Sequence, residues 1–186
     1  MTGAISNRVQ FAFTSALAIF LFVSWLPDYL QTADHDTAFN YTYQLLFLEN
    51  ARFNSGEFYT TGPWSFLYYA GYFPPTFAVL IAGQILLAVA IAGAIVLTGA
   101  RHIETLLFRV GFILACLAMF SISKDSALFF LVHAPLLLRV TEAPRLGLAT
   151  LLLLASVGLA MLVKGNILIV GVLVAGYVAV SDVCVA

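Results

Sequence analysis

The chain has 186 residues, 62% of them hydrophobic and only 9% charged, with a formal net charge of −1. That composition excludes an ordinary soluble globular domain. No nucleic-acid patch, Gly-rich phosphate loop, haem motif or soluble catalytic triad appears in it.

Six apolar stretches approach the ~18–20 residues that cross a hydrocarbon core as helix. They run from Val9 to Leu26, Thr76 to Leu97, Ile103 to Ile122, Ser123 to Val140, Leu146 to Val163, and Ile167 onward. Unbroken runs of Leu, Ala, Val and Ile argue for helices, since barrel strands would alternate apolar and polar residues over ~10-residue segments. The predicted fold is an all-α polytopic membrane protein of about six transmembrane helices. Residues 1–186 form a single transmembrane domain: a first helix (1–26), a loop (27–75) and a helical bundle (76–186).

The first stretch follows Arg8 and is longer than the ~7–15 apolar residues of a signal core. No small-x-small cleavage site follows Leu26, so it reads as a retained signal anchor. With the N-terminus cytoplasmic, Arg8, Arg101, Arg109, Arg139 and Arg145 all fall on the cytoplasmic side, as the positive-inside rule expects. The first loop then faces outward, and it is acidic: Asp28, Asp34, Asp36, Glu49 and Glu57 stand against Arg52 alone. Lys124 and Lys164 fall at the outward ends of later spans. Cys116 and Cys184 lie within apolar stretches and read as packing residues.

A loop of almost fifty residues among short connections is functional or disordered, and this one lacks the composition of disorder. From Asp36 to Arg52, Ala38, Tyr41, Leu45, Leu48 and Arg52 recur at spacings of three and four. With Phe39, Tyr43 and Phe47 alongside, the pattern predicts an amphipathic helix at the membrane surface. After Asn54 and Ser55 comes GEFYTTGPWSFLYYAGYFPP, Gly56 to Pro75. Its rings suit the headgroup level, where a ring body is apolar and its edge stays wet. We expect a bend over Thr60, Thr61, Gly62 and Pro63, with Trp64, Phe66, Tyr68 and Tyr69 against membrane or bundle.

This arrangement resembles the GT-C class of integral-membrane glycosyltransferases. TTGPWSFLYY, Thr60 to Tyr69, is similar to a TYGPLGFL-type segment of bacterial membrane proteins related to that class, with Thr61 where a tyrosine is usual. GEF resembles the Gly-x-Asp-aromatic lead-in, with Glu57 in place of the Asp. LVKGN, Leu162 to Asn166, resembles the Lys-Gly turn of members that glycosylate lipids or proteins. Members of the class usually have more spans and a distal domain, so the resemblance implies the N-terminal portion of such a protein. It also implies a bacterial inner membrane, a polyprenyl-phosphate sugar donor and transfer to an acceptor at the outer face.

In that chemistry an outward carboxylate removes the acceptor's proton as its oxygen attacks the anomeric carbon, with inversion. Cations meet the departing phosphate. Asp36 and Asp34 are the candidate bases; Arg52, Glu57, Lys124 and Lys164 are the candidate substrate-binding residues. Each has a plainer reading beside it. Asp36 could instead be the N-cap of the surface helix. Lys124-Asp125 and Lys164-Gly165-Asn166 could be solvated turns between helices. No metal or other cofactor is expected, because the loop shows no ligand spacing; a divalent ion would have to be held by Asp34, Asp36 and a phosphate. Two other function classes stay open. A transporter would use Lys124, Asp125 and His133 as a relay, and a non-enzymatic membrane subunit would use the aromatic loop only for packing.

Overall fold

A computed structural model describes residues 7–26, 35–49, 64–69, 71–141 and 148–185. Among them the chain is all-helical, without a strand. The helices are α1 (Asn7–Ser24), α2 (His35–Leu48), α3 (Phe66–Tyr69), α4 (Phe77–His102), α5 (Leu106–Ile122), α6 (Lys124–Thr141), α7 (Leu148–Val163) and α8 (Ile167–Val185). By length and composition one of them, the 26-residue α4, is long and apolar enough to cross a membrane; Val9–Ser24, Leu106–Ile122, Leu154–Val163 and Ile167–Ser181 are apolar over shorter stretches.

Helix α4 is the hub, and the reason lies in its sequence. Leu80, Gln84, Leu87, Ile91, Ile95 and Thr98 recur at three and four and are all buried. Small residues between them widen the buried face: Ala88, Ala92 and Ala94 are closed off as well. Helices α1, α5, α6 and α7 pack around α4, while α6 also meets α5, α7 and α8. Gly171 of α8 sits so close to α7 that an added Cβ would lie 2.7 Å from Met161 Cγ. Small residues at such crossings let helix backbones approach, which is how helices associate where lipid gives no hydrophobic drive.

The outer faces carry many large apolar side chains. Leu107 is 79% exposed and Ile122 88%, and Phe11, Phe108, Ile169, Leu173 and Tyr177 are also turned outward. Single exposed apolar side chains need no account on a soluble protein, but an apolar surface on this scale marks an interaction with something apolar.

Several boundaries differ from the sequence expectation, the largest shifts being at the C-terminal ends of α4 and α2. Helix α4 runs to His102 instead of stopping at Leu97, because Thr98 and Gly99 are buried and Gly99 packs on α5: a Cβ there would meet Phe112 Cδ1 at 3.3 Å. Extended Ile103 ends it, and its carbonyl accepts from Arg109 Nε and Nη2 at 3.1 and 2.7 Å. The surface helix ends at Leu48 rather than Arg52, and it starts at His35. Asp36 therefore lies in the first turn, and the cap position before His35 falls to residue 34, outside the described residues. A helix-entry aspartate is favoured by the dipole in either place.

The α5–α6 connection is a single residue. Ser123 is extended, its N–H closes α5 on the Met119 carbonyl at 2.9 Å, and its Oγ accepts from the Ser126 N–H at 3.3 Å at the start of α6. Within α6, Pro135 leaves the Leu131 carbonyl without its usual intrahelical donor.

Candidate functional site

Helix ends expose backbone groups that the helix itself cannot satisfy. At one end of the bundle, where α1, α5 and α7 finish and α4, α6 and α8 begin, these groups are paired by residues far away in sequence. The aromatic segment does much of the pairing. The Trp64 N–H donates to the Leu162 carbonyl in the last turn of α7 at 2.9 Å. Trp25, just past α1, donates its Nε1–H to the Phe120 carbonyl of α5 at 3.1 Å. The carbonyls of α3 are met in turn: Leu67 O accepts from Gln84 Nε2 at 3.1 Å, and Tyr68 O from Lys124 Nζ at 2.9 Å.

Helix α3 is held from below by fit. Phe66 and Leu67 are each 1% exposed. Leu67 enters a notch at Gly83 of α4, where an added Cβ would come within 2.5 Å of its Cδ2. From the other side, Phe47 of α2 packs on Phe66 with ring centroids 4.5 Å apart. Buried Gln44 of α2 donates to the Gly71 carbonyl at 3.0 Å and accepts from the Thr76 hydroxyl, fixing the return of the chain into α4. The turn itself is closed by Thr76 N–H to Phe73 O at 3.1 Å, across Pro74-Pro75. Tyr43 and Phe47 of α2 thus face the bundle, while Tyr41, Leu45 and Leu48 are exposed.

The two lysines named from sequence meet at Tyr68. Lys124 holds its carbonyl, and Lys164 Nζ lies 4.5 Å from the centre of its ring. Lys124 Nζ is also 6.0 Å from the Trp25 ring. Lys164 is ion-paired with Asp125 Oδ1, in the first turn of α6, where a carboxylate is favoured by the helix dipole. The Lys164 side chain is 17% exposed and that of Asp125 42%. Both lysines are therefore engaged with protein, where a pair of solvated turns was one of the sequence readings. His133 does not join them. It is exposed, it contacts the Phe129 carbonyl of its own helix at 2.7 Å, and it lies about 12 Å along α6 from Asp125.

Of the other expected site residues, Asp36 lies on α2, whose later turns pack against α3, but its side chain is outside the described residues. Asp34, Arg52, Glu57 and the bend from Thr60 to Pro63 lie outside them entirely. Trp64 is exposed, Phe66 buried and Tyr68 half-buried, so the end of the aromatic segment is packed on the helices. Sequence reasoning did not single out Trp25, Gln44, Ser65, Thr76, Gln84 or the pairing of Asp125 with Lys164. A polar residue alone in an apolar stretch, such as Gln84, was the available signal. Among the described residues, buried Ser65 Oγ and Gln84 Oε1 find no hydrogen-bond partner.

A cavity of about 10 Å³ lies between Trp25, Leu67, Tyr68, Leu87, Lys124 and Leu128, room for no more than one water. Larger cavities are apolar: one of about 420 Å³ between α1, α4 and α7, and one of about 180 Å³ beside Arg109 at the opposite end. Among the described residues no three His, Cys, Asp or Glu side chains are grouped as a metal ion would need. Comparison with protein-family models, curated proteins and solved structures finds no match to this chain.

Proposed function

We propose that this chain is a membrane-embedded part of a GT-C-like glycosyltransferase that takes a sugar from a polyprenyl-phosphate donor at the extracytoplasmic face. The observation that carries the reading is the convergence of two lysines on Tyr68, beneath an aromatic segment packed over the ends of apolar helices. A lipid phosphate approaching along the bilayer surface would meet cations at the depth of its headgroup, with aromatic walls beside its first isoprenoid unit. The apolar outer faces support a bilayer setting, and six helices coincide with six apolar stretches, in keeping with about six spans. The lysine-bearing end is the outward one in this reading, and the end carrying Arg101 and Arg109 is cytoplasmic.

In the proposed reaction Asp36 accepts the proton of the acceptor hydroxyl as its oxygen attacks the anomeric carbon, and Asp34 is the substitute base. Arg52 and Glu57 contact substrate, and Lys124 and Lys164 bind the phosphate. The test is a transfer assay with purified protein containing this chain and a radiolabelled lipid-linked sugar. Asp36→Asn should lower turnover about 10²–10⁴-fold while donor binding survives, since Asn keeps the shape but cannot take the proton. Near-normal turnover moves the role to Asp34, and normal turnover with both replaced ends the enzymatic reading.

One observation favours a second reading. Lys124 and Lys164 are held by protein groups and the described cavity at Lys124 is only about 10 Å³, as expected of a membrane scaffold in which the aromatic segment only packs. Absence of any saturable binding of a lipid phosphate would select it.

A further inference from the structure

The lysine expected to meet a phosphate already holds a carboxylate. Lys164 is pinned between two groups: the Tyr68 ring on one side and Asp125 on another. Asp125 is the more exposed member of the pair, so an anion arriving from the aqueous side reaches the carboxylate before the ammonium. Asp125 also occupies the first turn of α6, where the helix dipole favours any anion, carboxylate or phosphate alike. Lys124, the residue before it, places a second ammonium on the same tyrosine.

We infer that Asp125 is an internal stand-in for the phosphate: it occupies Lys164 and must be displaced when a phosphate monoester, the form in which the lipid phosphate leaves the sugar, binds. This inference rests on the phosphate-donor reading above. The exchange makes and breaks only non-covalent contacts. One ion pair, Lys164 with Asp125, is traded for another, Lys164 with phosphate, and the freed carboxylate turns to water through its exposed side. Such a device keeps a part-buried ammonium neutralised while the site is empty, since an unpaired buried charge is costly. It also lowers affinity for weak anions, which cannot outcompete a tethered carboxylate. A dianionic phosphate monoester, such as the lipid phosphate released by transfer, can do so with its greater charge and three acceptor oxygens.

The chain supplies its own reporter. Its two tryptophans, Trp25 and Trp64, both lie at this end of the bundle, so intrinsic fluorescence follows events there. The purified protein in detergent would be titrated with farnesyl phosphate, inorganic phosphate and farnesol, as the wild type and as Asp125→Asn, Lys164→Ala and Asp125→Asn/Lys164→Ala. Asn removes the charge at nearly constant shape, and Asp125→Ser, which suits a helix entry, serves if the Asn variant does not fold.

Removing the internal competitor should tighten farnesyl phosphate binding about fivefold, the scale of a partly exposed ion pair. Lys164→Ala should weaken it, and the double variant should bind no better than Lys164→Ala alone. Inorganic phosphate gaining as much as farnesyl phosphate would assign the site to the free anion; a gain confined to farnesyl phosphate would assign it to a lipid headgroup. Equal or weaker binding by Asp125→Asn, with the wild type binding normally, overturns the stand-in and leaves the phosphate-donor reading intact. No binding of farnesyl phosphate by any form overturns both.

Discussion

The two ends of the helical bundle satisfy their helix termini in different ways. At the end carrying Arg109 the closure is local: Ile103 N–H returns to Gly99 O at 3.2 Å, and the Arg109 guanidinium reaches Ile103 O, six residues back. At the other end local closures, such as Ser123 N–H to Met119 O at 2.9 Å, are joined by distant ones, Trp25 with Phe120 across 95 residues and Lys124 with Tyr68 across 56. Local closure needs only the turn to form. Distant closure requires helices α1, α4, α5, α6 and α7 to be in register at once, so this end is a product of the whole fold. Groups held from several directions keep fixed positions, which is the condition for a shaped site.

The largest test of this contrast is Phe66→Ala. Phe66 is buried between α2 and the bundle, so its truncation should cost about 3–5 kcal/mol in unfolding free energy. Protease access to the aromatic segment should rise with it. At the opposite end, Leu107→Ala, at a side chain 79% exposed, should change stability by no more than about 0.5 kcal/mol. Chemical denaturation in detergent measures both, and equal losses would erase the distinction between the ends.

Two glycines of α4 sharpen the comparison within one helix. Gly83→Ala places a Cβ against the Leu67 methyls at 2.5 and 2.8 Å, and Leu67 is buried with little room to yield. A loss of about 1–3 kcal/mol is expected. Gly93→Ala faces the 420 Å³ cavity, has nothing within 4 Å of the new Cβ, and should stabilise the helix by up to about 1 kcal/mol. Opposite signs in melting temperature are the expected result. The same sign in both would mean that α3 does not dock on Gly83.

A single distant closure is tested by Trp25→Phe. It keeps an aromatic ring but removes the indole N–H and part of the buried bulk, leaving the Phe120 carbonyl at the end of α5 without its partner, a loss of about 1 kcal/mol or somewhat more. Hydrogen exchange near the α5–α6 junction should quicken, with no change near Arg109. Faster exchange at both ends would show that Trp25 supports the bundle generally.

Much of the architecture was legible in the sequence because a helix is a local object. Its hydrogen bonds join residues four apart, and a run of Leu, Ala, Val and Ile is enough to specify one in an apolar setting. The six apolar stretches, the helix within the acidic loop, the break at Pro74-Pro75 and the turn at Lys164-Gly165-Asn166 were all read that way. The aromatic segment was also conspicuous, since rings with Gly and Pro fit neither a span nor a flexible linker. What only the tertiary structure decided is which way each helix turns about its axis and which distant groups then meet. The acceptors that matter at the aromatic end, the carbonyls of Leu67, Tyr68, Phe120 and Leu162, belong to the backbone and leave no mark on residue identity. Asp125 finds Lys164 across 39 residues because α6 begins where α7 ends, a fact of packing that no local pattern encodes.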